Sequence, residues 1–204
     1  MRVTKQVSFI RMASTLDQIE TGAAALLVMD HQNMLVQGYM ADPSAHLAAV
    51  SQAIAKAHSL GIQVIYIQKS FRVGYPEVHE NNTTFCGVKA GGRLLETDDA
   101  TKIPDEIAPS YGDIVVQGHR ISAFEGTELS LLLRAQKIDT LILFGITTSG
   151  VVLSTVRQAG DMDFRMFVLR DLCGDKDQQV HDFLLDKIIS LQACVLDSSE
   201  FLGL

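Results

Sequence analysis

The chain has 204 residues, a length that one large hydrophobic core can serve, and its 47% hydrophobic and 20% charged residues are those of an ordinary globular protein. A formal net charge of -7 argues against a nucleic-acid or anionic-membrane surface, because phosphate binding needs clustered Lys and Arg. No apolar run approaches the roughly 20 residues needed to cross a bilayer, and three scattered cysteines imply neither a disulfide framework nor a metal cluster.

These features predict one soluble, cytoplasmic domain over residues 1–204 without nucleic-acid or membrane partners. In chain order, "MRVTKQVSFIRMASTLDQIE" mixes charges into short apolar stretches and lacks the apolar centre of a secretory signal, so residues 1–23 read as an N-terminal extension. The first buried strand is "AAALLVMD", ending at Asp30. Residues 44–59 place Leu47, Val50, Ile54 and Ala57 on one helical face, with Pro43 before and Gly61 after as start and stop signals. "QVIYIQK" is the second strand. Residues 71–112 follow, rich in Gly, Pro and Asn with weak periodicity, and read as a long functional loop or lid. Then come the strand "DIVVQG", a helix over 127–136 opened by Thr127, the strand "TLILFGI", and a helix starting at the Ser149-Gly150 corner. The strand "RMFVLRD", a helix over "KDQQVHDFLLDKIISLQ" and a short sixth strand, "ACVLDS", complete the pattern. Strand and helix alternate throughout, which predicts an open parallel sheet with helices on both faces.

Ligands in such sheets bind beyond the carboxyl ends of the strands. A carboxylate directly after the run Leu26-Leu27-Val28-Met29 sits at the edge of an apolar core, where desolvation raises its pKa and suits Asp30 to acid-base work. The alternative is a strand-end Asp that caps the next turn. The elbow from Gly145 to Gly150 offers backbone amides for an oxyanion; equally, Thr147, Thr148 and Ser149 are ordinary helix caps. His119 and Arg120 leave the third strand as candidate anion binders or as a solvated exit. The six histidines show no ligand spacing and the first strand ends in no Gly-rich phosphate turn, so no metal and no cofactor are expected.

Taken together, "ALLVMDHQNMLV", "FRVGYPEVHENN" and the run from "GHRISAFEGTELS" through "FGITTSGVVLST" to "FVLRDLCGD" resemble the isochorismatase-like, or cysteine hydrolase, family from about Ala24 to the C-terminal helix. The resemblance implies a Rossmann-like three-layer α/β/α sandwich with a mostly parallel six-stranded sheet, a homo-oligomer, and hydrolysis of a small-molecule substrate. It also implies an Asp, Lys and Cys triad and a non-proline cis peptide at the elbow. The Asp falls on Asp30. The Lys position falls on Gly118 and the Cys position on Val151, so two triad side chains are expected to be missing and Asp30 to lack a neighbouring ammonium unless His119 or Arg120 supplies a cation. The expected oxyanion elbow is Ile146, Thr147, Thr148, Ser149 and Gly150, and the expected substrate pocket takes Gln32, Tyr75, His119, Arg120 and Phe124. These positions imply a Cys-independent hydrolase with Asp30 as general acid or base, or else a catalytically silent binding or scaffold protein on the same fold.

Overall fold

In the computed structural model, which describes residues 19–204, six apolar runs form one sheet. They are β1 (Ala24–Met29), β2 (Gln63–Lys69), β3 (Ile114–Gly118), β4 (Thr140–Gly145), β5 (Arg165–Leu169) and β6 (Cys194–Leu196). The strand order is β3-β2-β1-β4-β5-β6, and every neighbouring pair is parallel. The central strands β1 and β4 are buried along their whole length, which is why they read as unbroken apolar runs. The edge strand β3 alternates, with Val116 buried and Val115 exposed.

Helices fill the crossovers and cover both faces of the sheet. They are α1 (Asn33–Tyr39) and α2 (Pro43–Ser59) after β1, α3 (Thr83–Ala90) after β2, α4 (Leu129–Ala135) after β3, α5 (Leu153–Asp161) after β4, α6 (Gln178–Phe183) after β5 and α7 (Ser198–Leu202) at the end. The longest, α2, has its N-cap made by the Asp42 side chain, which accepts from the Ala45 amide; Pro43 opens the helix and Gly61, at φ 70°, turns the chain away after it. Its buried face is Leu47, Val50, Ala53, Ile54 and Ala57, the stripe that the sequence spacing predicts plus one alanine.

Two segments differ from the sequence reading. Residues 71–112 carry α3 and a small apolar cluster of their own, Phe71, Tyr75, Phe85 and Leu94, with Phe71 bonded through its backbone to Leu94 and Glu96. Four large side chains are enough to fold this stretch onto itself despite its glycines. The single helix expected over "KDQQVHDFLLDKIISLQ" is α6 followed by a wide turn over Leu184–Ile188 and a tight one over Ile189–Leu191, so that Leu185 and Ile189 are both fully buried.

The chain leaves β1 toward β2 on one side and β4 toward β5 on the other, so the strand order reverses between β1 and β4, and in open parallel sheets ligands bind beyond the carboxyl ends at such a point. Gly145 makes the joint possible. It pairs with Met29, and a Cβ there would stand 2.9 Å from the Met29 carbonyl oxygen and 3.0 Å from Val151 Cγ1.

Directly after Asp30, His31 is buried between sheet and helix. Its Nδ1 lies 3.1 Å from the Met29 carbonyl, which only accepts, so Nδ1 carries the proton and Nε2 accepts from Nε2 of His46 on α2 at 3.0 Å. The two rings stack with centroids 5.2 Å apart, and Phe144 meets His31 edge-on. Burial pushes the His31 imidazole down to about 3, with His46 adding to the effect, and burial also lowers His46 against the pull of Asp171. A histidine near 6.5 in the unfolded chain and near 3 in the fold contributes stability in full above pH 6.5 and loses it as pH falls toward 3. Urea unfolding at pH 7 and pH 5 should show His31→Met losing about 1–2 kcal/mol less stability over that interval than the wild-type chain. Equal losses in both proteins would mean that this pair does not set the acid sensitivity.

Candidate active site

Asp30 directly follows β1 in a left-handed conformation, φ 56°, with its amide bonded to the Ile67 carbonyl at 2.8 Å and its own carbonyl accepting from the Gln32 amide at 2.9 Å. The side chain is almost completely buried, and its Oδ2 lies 3.1 Å from Nζ of Lys69, the last residue of β2. That ammonium also donates to the Arg120 carbonyl at 2.5 Å and faces the Ile121 carbonyl at 3.5 Å. Three oxygens thus surround the Lys69 Nζ, so its N–H groups are spent on the protein. Sequence reasoning placed no ammonium beside Asp30 and named His119 or Arg120 as its replacement; the cation in contact with Asp30 is Lys69.

Burial pushes the Asp30 carboxyl above the ordinary carboxylate range, and the charge and hydrogen bond of Lys69 pull it part of the way back. The upward direction expected from the sequence holds, and for the expected reason, desolvation; the opposing ammonium is what the sequence reading lacked. The second carboxylate oxygen, Oδ1, is buried and has no partner. It is a carboxylate oxygen with an unused valence at the carboxyl end of β1.

The other expected pocket residues divide into scaffold and rim. Gln32 is fully used by the protein: its amide nitrogen donates to the carbonyls of Lys69 at 2.7 Å and Thr101 at 2.6 Å, and its oxygen accepts from the Lys69 amide at 2.9 Å. It clamps the start of α1 to the end of β2, which steadies Asp30 and Lys69 together. Tyr75 lies buried against Phe71 with its hydroxyl on the Arg93 carbonyl, and Phe124 packs against Phe164. His119 bonds the Ser70 carbonyl through Nδ1 at 2.6 Å, and Arg120 donates to the carbonyls of His119 and Glu77. Glu77 in turn pairs with Arg72 through Oε1, while its Oε2 is buried without a partner.

The elbow after β4 contains a cis peptide between Ile146 and Thr147, as the resemblance implies. Thr148–Val152 forms a single wide helical turn that leads into α5. Its first amides hold protein acceptors: Thr148 donates to the Gly174 carbonyl at 2.8 Å, Ser149 to Asp175 Oδ2 at 2.7 Å and Gly150 to the Thr147 carbonyl at 3.2 Å. Gly150 admits Thr147 closely, since a Cβ there would stand 2.6 Å from Thr147 Oγ1. Val151 is buried and apolar.

Two other side chains near the elbow bear on a nucleophile. Thr148 Oγ1 lies 2.7 Å from Nδ1 of His181 on α6, a histidine that the sequence reading did not place near the elbow. Burial holds His181 below the usual imidazole range, but Thr148 is wholly enclosed, so the pair ties the elbow to α6 and presents no hydroxyl to a substrate. The Cys173 thiol sits beside the Gly145 backbone, where burial pushes it up to about 12 and keeps it protonated and inert. Among the described residues, no three His, Cys, Asp or Glu side chains converge as a metal-binding set, and no helix is long and apolar enough to cross a membrane.

Comparison with known proteins agrees with this architecture. The isochorismatase domain family matches residues 24–200. N-carbamoylsarcosine amidase of an Arthrobacter species is 35% identical over 59% of this chain and 46% of its own length. Ureidoacrylate amidohydrolase of Yersinia enterocolitica is 34% identical over 74% of this chain and 75% of its own. The crystal structure of N-carbamoylsarcosine amidase from Thermoplasma acidophilum superposes with a TM-score of 0.70 at 30% identity, covering 86% of this chain and 96% of that one. With its six parallel strands, its Asp-bearing β1 and its glycine-hinged elbow, this chain belongs to the isochorismatase family.

Proposed function

We propose that the protein is a thiol-independent hydrolase of a small organic molecule, with Asp30 as general acid and base and water as nucleophile. The observation that carries this reading is the buried, unpartnered Asp30 Oδ1 beside the fixed Lys69 ammonium. A carboxyl raised by burial lies closer to neutral pH, where it exchanges a proton with both reactant and product. The names of the relatives point to a carbamoyl or amide C–N bond as the scissile one. Asp30 takes a proton from water as the water oxygen bonds to the carbonyl carbon; the same proton passes to the nitrogen as the C–N bond breaks. No acyl-enzyme forms, because position 151 is valine and Cys173 stays protonated. The reading takes the protein to work without a cofactor and as a homo-oligomer.

A second reading, a catalytically silent binding protein on the same fold, draws support from one observation. The amides of Thr148, Ser149 and Gly150, expected to hold an oxyanion, are already bonded within the protein.

Purified protein and Asp30→Asn are to be compared on a panel of N-carbamoyl compounds, small amides and vinyl ethers such as isochorismate. The expected outcome is turnover of at least one panel member by the wild type and a loss of about 10²–10⁴-fold in kcat for the variant. Equal turnover by the two proteins would sink the Asp30 mechanism. Ligand binding by both without turnover would favour the binding reading. Separately, saturating iodoacetamide should leave turnover unchanged. Inactivation that Cys86→Ser does not prevent would show that a thiol takes part after all.

A further inference from the structure

Lys69 and Gly118 are direct partners in the parallel register of β2 and β3. They sit side by side at the carboxyl ends of adjacent strands, about 4.8 Å apart. A Cβ built on Gly118 would stand 3.5 Å from Ile67 Cγ2 and 3.9 Å from Lys69 Nζ, so any side chain longer than alanine at 118 extends toward the space that the Lys69 ammonium fills. The ammonium itself rests on oxygens from three other places in the chain: Asp30 after β1, and Arg120 and Ile121 in the loop leaving β3. Those two carbonyls belong to the segment that starts at Gly118, so the ammonium bed is built largely by β3 and its exit although the lysine comes from β2.

We propose that positions 69 and 118 are alternative bases for a single ammonium, and that in this chain Lys69 fills that place, with Gly118 as the residue that makes room for it. Lys69 is then a positioning residue. It holds one oxygen of Asp30 and sets the proton affinity of the other, and it is present although position 118, where the resemblance puts a lysine, has no side chain. The inference rests on the reading of Asp30 as the acid-base group. It also makes a claim about geometry and charge that holds whether or not a substrate is known.

The test is the protonation midpoint of Asp30, read by carboxyl carbon NMR of protein labelled at Asp, with the signal assigned by its absence in Asp30→Asn. In Lys69→Met the midpoint should rise by roughly 1–3 pH units, the range expected on removing a contacting opposite charge. In the double variant Lys69→Met, Gly118→Lys it should fall back to near the wild-type value, and turnover lost in the single variant should return. A merely structural Lys69 would not be replaced from a neighbouring strand, so a double variant that keeps the midpoint of Lys69→Met overturns the proposal, as does an unshifted midpoint in Lys69→Met itself. If Lys69→Met fails to fold, Gly118→Met on the wild-type background crowds the ammonium while keeping it: a raised Asp30 midpoint supports the shared site, and an unchanged one overturns it. Midpoints that move as described in a protein that turns over no substrate would count against the proposed hydrolysis alone.

Discussion

The buried ion pair between Asp30 and Lys69 is the constraint around which the mouth of this sheet is arranged. Removing two charges from water costs several kcal/mol per ion, and mutual attraction repays this only when the remaining valences are satisfied. Here the carbonyls of Arg120 and Ile121 satisfy the ammonium, and the Gln32 side chain fixes the backbone of Lys69 through both its amide and its carbonyl. The ends of β1 and β2, the start of α1 and the exit of β3 are therefore joined through one cation. Within the ion pair itself, the atom left without a partner is Asp30 Oδ1. A polar atom buried without a partner is costly, and it gains more from an incoming donor than any satisfied group beside it.

The elbow after β4 is organised differently. Gly145 lets β4 turn against Met29, Gly150 admits Thr147, and Gly174 carries the carbonyl that receives the Thr148 amide. With Thr148 also bound to His181, the corner is tied at once to β1, α6 and the loop after β5. This is a rigid joint whose amides are largely spent, and Val151 at its centre packs into the core cluster. The buried ion pair lies on the β1–β2 side, and the β4 side is a corner whose polar groups are bonded within the protein.

The sheet was legible in the sequence because its strands are buried on both faces and so appear as unbroken apolar runs; observed and expected boundaries of β2 coincide, and the others differ by one or two residues. Short helices were less legible. The segment "NMLVQGY" forms α1 in seven residues with Gly38 inside it and no side-chain cap, and α3 is embedded among asparagines and glycines. Asp30 could be read from its place after an apolar run, since strand ends are where ligands bind. Lys69 could not be singled out by type, because a lysine at a strand exit is ordinarily a solvated one. A signal was nonetheless present: in a parallel sheet the ends of adjacent strands lie together, so a missing side chain at Gly118 invites inspection of position 69. His181 carried no such signal, being 33 positions from its partner Thr148.

A buried ion pair is also a poor device for stability alone. Well-packed apolar residues of similar volume in its place are often neutral or more stable by about 1–4 kcal/mol. The surroundings here are already apolar, with Ile67, Met29 and Ile146 fully enclosed beside the charged groups. Two hydrophobic side chains would suit such a neighbourhood, but they would leave the Arg120 and Ile121 carbonyls without the donor that Lys69 supplies. What the charged pair adds is a carboxylate with one oxygen held and one oxygen open, in a place where burial raises its proton affinity and a fixed ammonium limits the rise. Without the ammonium, the carboxyl would stay protonated over a wider pH range and could serve as an acid but poorly as a base. The hydrolysis proposed for Asp30 needs a carboxyl that gives a proton and takes one back, and a rise held in check by an ammonium suits both transfers better than an unopposed one.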